Sequence, residues 1–135
     1  MSDEAIEESL ARIAAWGDPT ARVYEALYAV DPALAALFGN DESGAVRGHM
    51  LYEALEVARD LAGARAYGAH FLAAESVNHE HLGVPRAAFA AFYDAIIAAF
   101  ADILGPAWTP DFAAAWARVR EEVRAIADAR LIPGI

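Results

Sequence analysis

The stretch Asn78-His79-Glu80-His81-Leu82-Gly83-Val84-Pro85 carries two of the four histidines in the chain and sits where one helical pattern stops and the next begins. Apolar spacing predicts a helix over residues 66–81, and Pro85 suits a first helical position, where its missing N–H costs nothing. Residues two apart on a helix point about 200° away from each other. His79 and His81 therefore cannot easily share one metal ion, and neither His49 nor His70 falls in a His-Glu-x-x-His spacing. Each histidine taken by itself reads as an ordinary surface or core residue.

Outward from that stretch the same punctuation recurs. Asp18-Pro19, Asp31-Pro32 and Thr109-Pro110 pair a capping residue with proline, and Gly17, Gly39 and Gly105 mark helix ends. The predicted helices cover residues 3–16, 19–30, 32–38, 45–61, 66–81, 85–104 and 110–130, with a polar loop over 39–44 and a loose tail over 131–135. Ile6, Leu10 and Ile13 face inward on the first helix, and Val23, Leu27 and Val30 on the second. The fourth buries Val46, Met50, Ala54, Val57 and Leu61, with Leu51 and Leu55 widening the stripe. Phe89, Tyr93, Ile96, Phe100 and Ile103 line the sixth, and Phe112, Trp116, Val119, Val123 and Ile126 the seventh. No stretch alternates in the strand pattern. The expectation is one all-α domain, 1–135, of about seven helices.

Composition narrows the chemistry. Apolar residues make up 58% of the 135, much of the excess being alanine, which favours helix. The absence of cysteine excludes disulfides, iron–sulfur clusters, thiolate-ligated haem and cysteine catalysis, so histidine or carboxylate must hold any metal. Twenty acidic against ten basic residues give a net charge of −10, which repels nucleic acid and anionic lipid. The acidic start, Met1 to Glu8, does not read as an export signal, and no apolar run is expected to reach the ~18–20 residues needed to span a bilayer. A cytoplasmic protein with neither nucleic-acid nor membrane partners is expected.

In its larger context the chain resembles the globin family, in particular single-domain bacterial haemoglobins, the globin part of flavohaemoglobins, and neuroglobin. His79-Glu80-His81-Leu82-Gly83-Val84 is similar to the family's haem-ligating histidine with Gly-Val four and five positions on. Leu27-Tyr28-Ala29-Val30-Asp31-Pro32-Ala33-Leu34-Ala35-Ala36-Leu37-Phe38 resembles the B–C helix junction. Leu104-Gly105-Pro106-Ala107-Trp108-Thr109-Pro110 with Ala115-Trp116 resembles the G–H corner and H helix. The three pieces occur in the family's order between Trp16 and Ile126.

The resemblance implies a globin fold around one haem b (iron protoporphyrin IX), with His79 as the iron ligand. Phe38, Leu51, Val84, Phe89, Tyr93 and Trp116 would line the pocket. Counting 32 positions back from His79 puts Arg47 at the gas-facing position of the E helix, where glutamine or histidine is more usual. Leu51 then lies one turn on, and a register slip would substitute His49. Fourteen positions before Phe38 lies Tyr24, whose hydroxyl would donate a hydrogen bond to dioxygen in the pocket, worth ~1–2 kcal/mol. Flavohaemoglobins orient the ligating histidine with a tyrosine and a glutamate; here Phe89 and Leu131 stand at those positions. Glu80 or a backbone carbonyl is the expected partner of the second imidazole nitrogen.

The function implied is reversible binding of dioxygen, and of NO or CO. The alternatives are NO dioxygenation or nitrite reduction with a separate reductase, and haem-based gas sensing. A monomer or a homodimer fits, since no heptad seam specifies a dimer.

Overall fold

In the computed structural model, which describes residues 2–38 and 41–129, the capping residues read from sequence find their donors. The Asp18 carboxylate accepts the Thr20 N–H at 3.0 Å and its hydroxyl at 2.6 Å, and Thr109 Oγ1 accepts the Phe112 N–H at 3.2 Å. Both satisfy N–H groups that a first helical turn leaves unpaired. The elements are α1 (Ser2–Trp16), α2 (Thr20–Val30), a 3₁₀ helix (Pro32–Phe38), α3 (Ala45–Ala62), α4 (Gly68–His81), α5 (Ala87–Leu104), a 3₁₀ turn (Gly105–Ala107) and α6 (Pro110–Ala129).

These include the seven predicted helices, plus the turn at Gly105, and no strand occurs among the described residues. The boundaries move most beside the histidine stretch. α5 begins at Ala87 and not at Pro85, because the N–H groups of Ala88 and Phe89 bond back three residues to Pro85 and Arg86 in a tighter turn. The predicted helix end at Gly39, the final helical residue Arg130, Leu131 and the tail lie outside the described residues.

α5 is the central helix, packed on α2, α6 and α1, while α1 lies along α6 and α3 along α4. Contrary to the sequence expectation, the segment Ala87–Ala107 is long and apolar enough to cross a membrane by length and composition, with a mean hydropathy of 1.8. Its Tyr93, Ile96 and Phe100 are buried in the core, and its two acids are paired outward, Asp94 with Arg120 and Asp102 with Arg22. Val30, expected inward, is 74% exposed at the end of α2.

Trp116 anchors the far side of this core. Its ring meets Phe100 edge-on at 5.6 Å, and its indole N–H donates to Ser9 Oγ at 2.9 Å, which donates in turn to the Ile6 carbonyl at 2.8 Å. The knot is fully buried and each of its polar atoms has a partner, as burial requires.

The α3–α4 corner is built on a buried carboxylate. Asp60 is 8% exposed and accepts the N–H groups of Ala66 at 2.8 Å, Tyr67 at 3.2 Å and Gly68 at 2.6 Å, which are the orphan donors at the start of α4. A Cβ on Gly68 would sit 2.8 Å from an Asp60 carboxylate oxygen, so only glycine allows the approach. Burial pushes the Asp60 carboxyl up, but the three backbone donors outweigh it and hold it below its ordinary 3.8.

Asp60→Ala leaves these donors unpaired and is expected to cost ~2–3 kcal/mol, roughly 10 °C in thermal midpoint. Because the folded carboxyl is depressed, its stabilisation is complete above about pH 4 and is lost as pH falls through the depressed value. The gap between wild-type and Asp60→Ala melting curves should therefore be widest near neutrality and shrink as the pH falls below the ordinary carboxylate range. Trp116→Phe, which removes the indole donor to Ser9 and leaves a gap in the buried knot, should lower stability by ~1–2 kcal/mol in denaturant titration.

Candidate functional site

α4 ends in a way that explains the spacing of His79 and Gly83. The Val84 N–H bonds to the His79 carbonyl at 2.9 Å and the Gly83 N–H to the Glu80 carbonyl at 3.0 Å, the paired bonds of a Schellman motif. Gly83 supplies the left-handed residue that this motif needs, at φ +86°. The motif stops the helix two residues beyond His79, and Val84 lines the same cavity as the imidazole.

His79 is partly buried. Its Nδ1 lies 2.8 Å from the Glu75 carbonyl oxygen, one turn earlier, so Nδ1 carries the proton and donates it there. A carboxylate oxygen of Glu75 is 3.3 Å from the same nitrogen. Phe89 packs edge-on against the ring at 5.3 Å and sets its plane. Nε2 has no hydrogen-bond partner among the described residues.

His79 borders a cavity of about 430 Å³ between α2, the first 3₁₀ helix, α3, α4 and α5. A second cavity of about 240 Å³ shares Met50, His79, Phe89 and Phe92 with it. Of the thirteen residues lining the larger cavity only His79 and Tyr24 are polar; the rest are aliphatic, aromatic or methionine. Tyr24 is 2% exposed, wedged between Phe38 at 5.4 Å and Phe92 at 5.5 Å. Burial raises its hydroxyl far above the ordinary phenol range, so it stays a donor. It donates to the Arg47 carbonyl at 3.1 Å.

Five of the residues expected from sequence meet around the larger cavity: His79, Tyr24, Phe38, Val84 and Phe89. Tyr93 borders the second cavity, with its hydroxyl donated to the Ala54 carbonyl at 2.6 Å. The other three lie elsewhere. Arg47 is held by Asp41, its Nε 3.0 Å from the carboxylate and a terminal nitrogen 2.8 Å from the carbonyl. The same carboxylate accepts the Val46 and Arg47 N–H groups at the start of α3. Burial pushes the Asp41 carboxyl up, and these donors together hold it below its usual range. Leu51 is buried in the core and borders neither cavity. Trp116 belongs to the Ser9–Phe100 knot and not to the cavity.

The wall that α3 presents is instead Val46 and Met50 in the larger cavity and Met50, Ala54 and Val57 in the smaller. One residue is a 100° turn of the helix, and this face precedes the Arg47–Leu51 pair by one residue. Met50, Phe92, Leu27 and Leu34 were not singled out as site residues; Met50 and Leu27 had been read only as core. His49 stands exposed at the rim of the second cavity, 3.4 Å from the Glu53 carboxylate. His70 and His81 are exposed, and Glu80 lies 4.0 Å from Arg86. The imidazole partner is thus the carbonyl of Glu75, one of the two options expected, and not Glu80.

Among the described residues no three histidine or acidic side chains converge as a metal site. A single imidazole facing an apolar crevice is the donor set for a metal that brings its other ligands with it, as the iron of a haem does. The residues present fit that group: one imidazole nitrogen without a hydrogen-bond partner among the described residues, flat aromatic walls, and no Asp, Glu, Lys or Arg in the lining of the larger cavity.

No protein of curated function matches the sequence. The family model described as Globin matches residues 21–126, which span α2 to most of α6 and every residue of both walls. The chain belongs to the globin family, which implies a haem cofactor and a diatomic gas ligand.

Proposed function

We propose that this globin binds dioxygen reversibly at a b-type haem seated in the crevice between α3 and α4. The observation that carries the reading is the polarity of the larger cavity, where one imidazole and one hydroxyl stand in an otherwise apolar wall. When bound, the haem would supply a ferrous iron able to take a diatomic gas, with His79 as the protein's ligand to it. With no cysteine in the chain, thioether attachment is impossible, and the group would be held by His79 and by packing alone.

Each residue then has a physical task. His79 offers Nε2, with its tautomer and plane set by the Glu75 carbonyl and Phe89. Phe38, Val84, Phe89 and Phe92 exclude water, which protects the ferrous state. Tyr24 is the single donor able to favour a gas that takes on negative charge. A hydroxyl has one proton, so donation to the gas replaces its bond to the Arg47 carbonyl, and the net gain is that of one bond exchanged for another, ~1 kcal/mol. With Arg47 tied to Asp41, no side-chain charge from α3 competes with it. The reductase-dependent and sensing alternatives find no specific support in these contacts.

The visible spectrum of the purified protein after reconstitution with haem tests the reading. The wild type should take up one haem and form a stable oxygenated species from the ferrous state, while His79→Ala should retain haem poorly. Tyr24→Phe should release dioxygen about five- to tenfold faster in stopped flow, as ~1 kcal/mol implies, with carbon monoxide release changed far less because that ligand carries little charge. No haem uptake by the wild type refutes the proposal. An unchanged dioxygen release rate in Tyr24→Phe means that the hydroxyl stays on the Arg47 carbonyl.

A further inference from the structure

A carboxylate stands beside the His79 Nδ1–H in addition to the carbonyl that accepts its hydrogen bond, and neither the family match nor that bond accounts for it. The Glu75 carboxylate stands 3.3 Å from Nδ1 while the carbonyl of the same residue stands at 2.8 Å. Both groups come from one residue because side chains four apart lie over each other on a helix. The carboxylate is not adrift on the surface: Glu75 borders the second cavity together with His79 and Phe89, and its side chain is 33% exposed.

We propose that Glu75 is a positioning residue that makes the haem-ligating imidazole electron-rich, its carboxylate sharing the Nδ1 proton with its carbonyl. The inference rests on the haem reading above. A bond from N–H to an ionised acceptor is shorter and roughly twice as strong as one to a neutral carbonyl. Drawing the Nδ1 proton outward moves electron density to Nε2, which raises its donor strength towards a metal. His79 also lies in the last turn of α4, where the negative end of the helix dipole adds partial negative charge. Among the described residues Glu75 is the carboxylate within ion-pair range of the imidazole. Phe89 meets the ring edge-on and has no polar atom to offer, and Glu80 lies 4.0 Å from Arg86. The consequence is an iron whose ferric form is favoured and which pushes more charge onto a bound gas, compensating for the tyrosine that Phe89 replaces.

The test uses the haem-loaded full chain as wild type, Glu75→Ala and Glu75→Gln. Both variants keep the backbone carbonyl, and glutamine keeps a neutral side-chain acceptor of the same length. Circular dichroism confirms that they fold. The readouts are the iron–histidine stretching frequency of the ferrous form by resonance Raman and the ferric–ferrous midpoint potential. Removing the carboxylate should lower the frequency and shift the reduction equilibrium about fivefold towards the ferrous state, the difference between a charge-assisted and a neutral hydrogen bond. Gln should match Ala more closely than it matches the wild type. If both variants load haem and keep the wild-type frequency and potential, the carbonyl alone holds His79 and the inference is overturned while the haem reading stands. If the wild type takes up no haem, both fall together.

Discussion

Three backbone N–H groups, those of Ala66, Tyr67 and Gly68, converge on the Asp60 carboxylate, and the direction in which α4 leaves α3 is set by that contact. His79 stands eleven residues beyond Gly68, roughly 17 Å along the helix axis. A 10° error at the corner would therefore displace the imidazole by about 3 Å, enough to remove it from its cavity. Burying a carboxylate is costly unless its lone pairs are filled, and here the start of α4 fills them. The corner is thus rigid for the same reason that it is polar, and the crevice between α3 and α4 inherits its width from it.

At the other end of α3 a second carboxylate does comparable work. Asp41 binds the first N–H groups of the helix and also the Arg47 side chain, so a charge that could enter the crevice is kept at its edge. What remains inside is apolar apart from His79 and Tyr24. The chemistry of the site follows from this economy. On the reading proposed above, the Tyr24 hydroxyl would favour a gas that takes on negative charge and the His79 imidazole would hold the iron. The groups behind that imidazole, the Glu75 carbonyl and the Phe89 ring, then matter as much as the nitrogen itself.

The helices could be read before any coordinates because their signals are local, whereas His79 stands out through the resemblance of its motif to the family's. Proline, glycine and capping residues act on their immediate neighbours, and Thr109 caps α6 as its position suggested. The face of α3 is a more instructive case. Its apolar spacing pointed Val46, Met50, Ala54 and Val57 inward, whereas counting from the family's pattern pointed to Arg47 and Leu51. The wall follows the spacing, since one residue of offset turns a side chain by 100° and counting across loops cannot fix a helix to that precision. The Glu75–His79 pair was also within reach, being four apart on a predicted helix; Glu80, the nearer acid, drew attention instead.

From the sequence alone came the all-helical class, the order and approximate limits of the helices, the absence of cysteine chemistry and the choice of His79 among four histidines. All of these depend on residues close together in the chain, where spacing and backbone preference act directly. Only the tertiary structure decided that Asp60 is buried under the start of α4, that Trp116 serves the core through Ser9 and not the cavity, that Asp41 restrains Arg47, and that Tyr24 spends its proton on a carbonyl. A buried carboxylate and a solvated one have the same letter in a sequence. The difference between them is the set of distant groups that packing brings within 3 Å, and that set exists only once the helices have met.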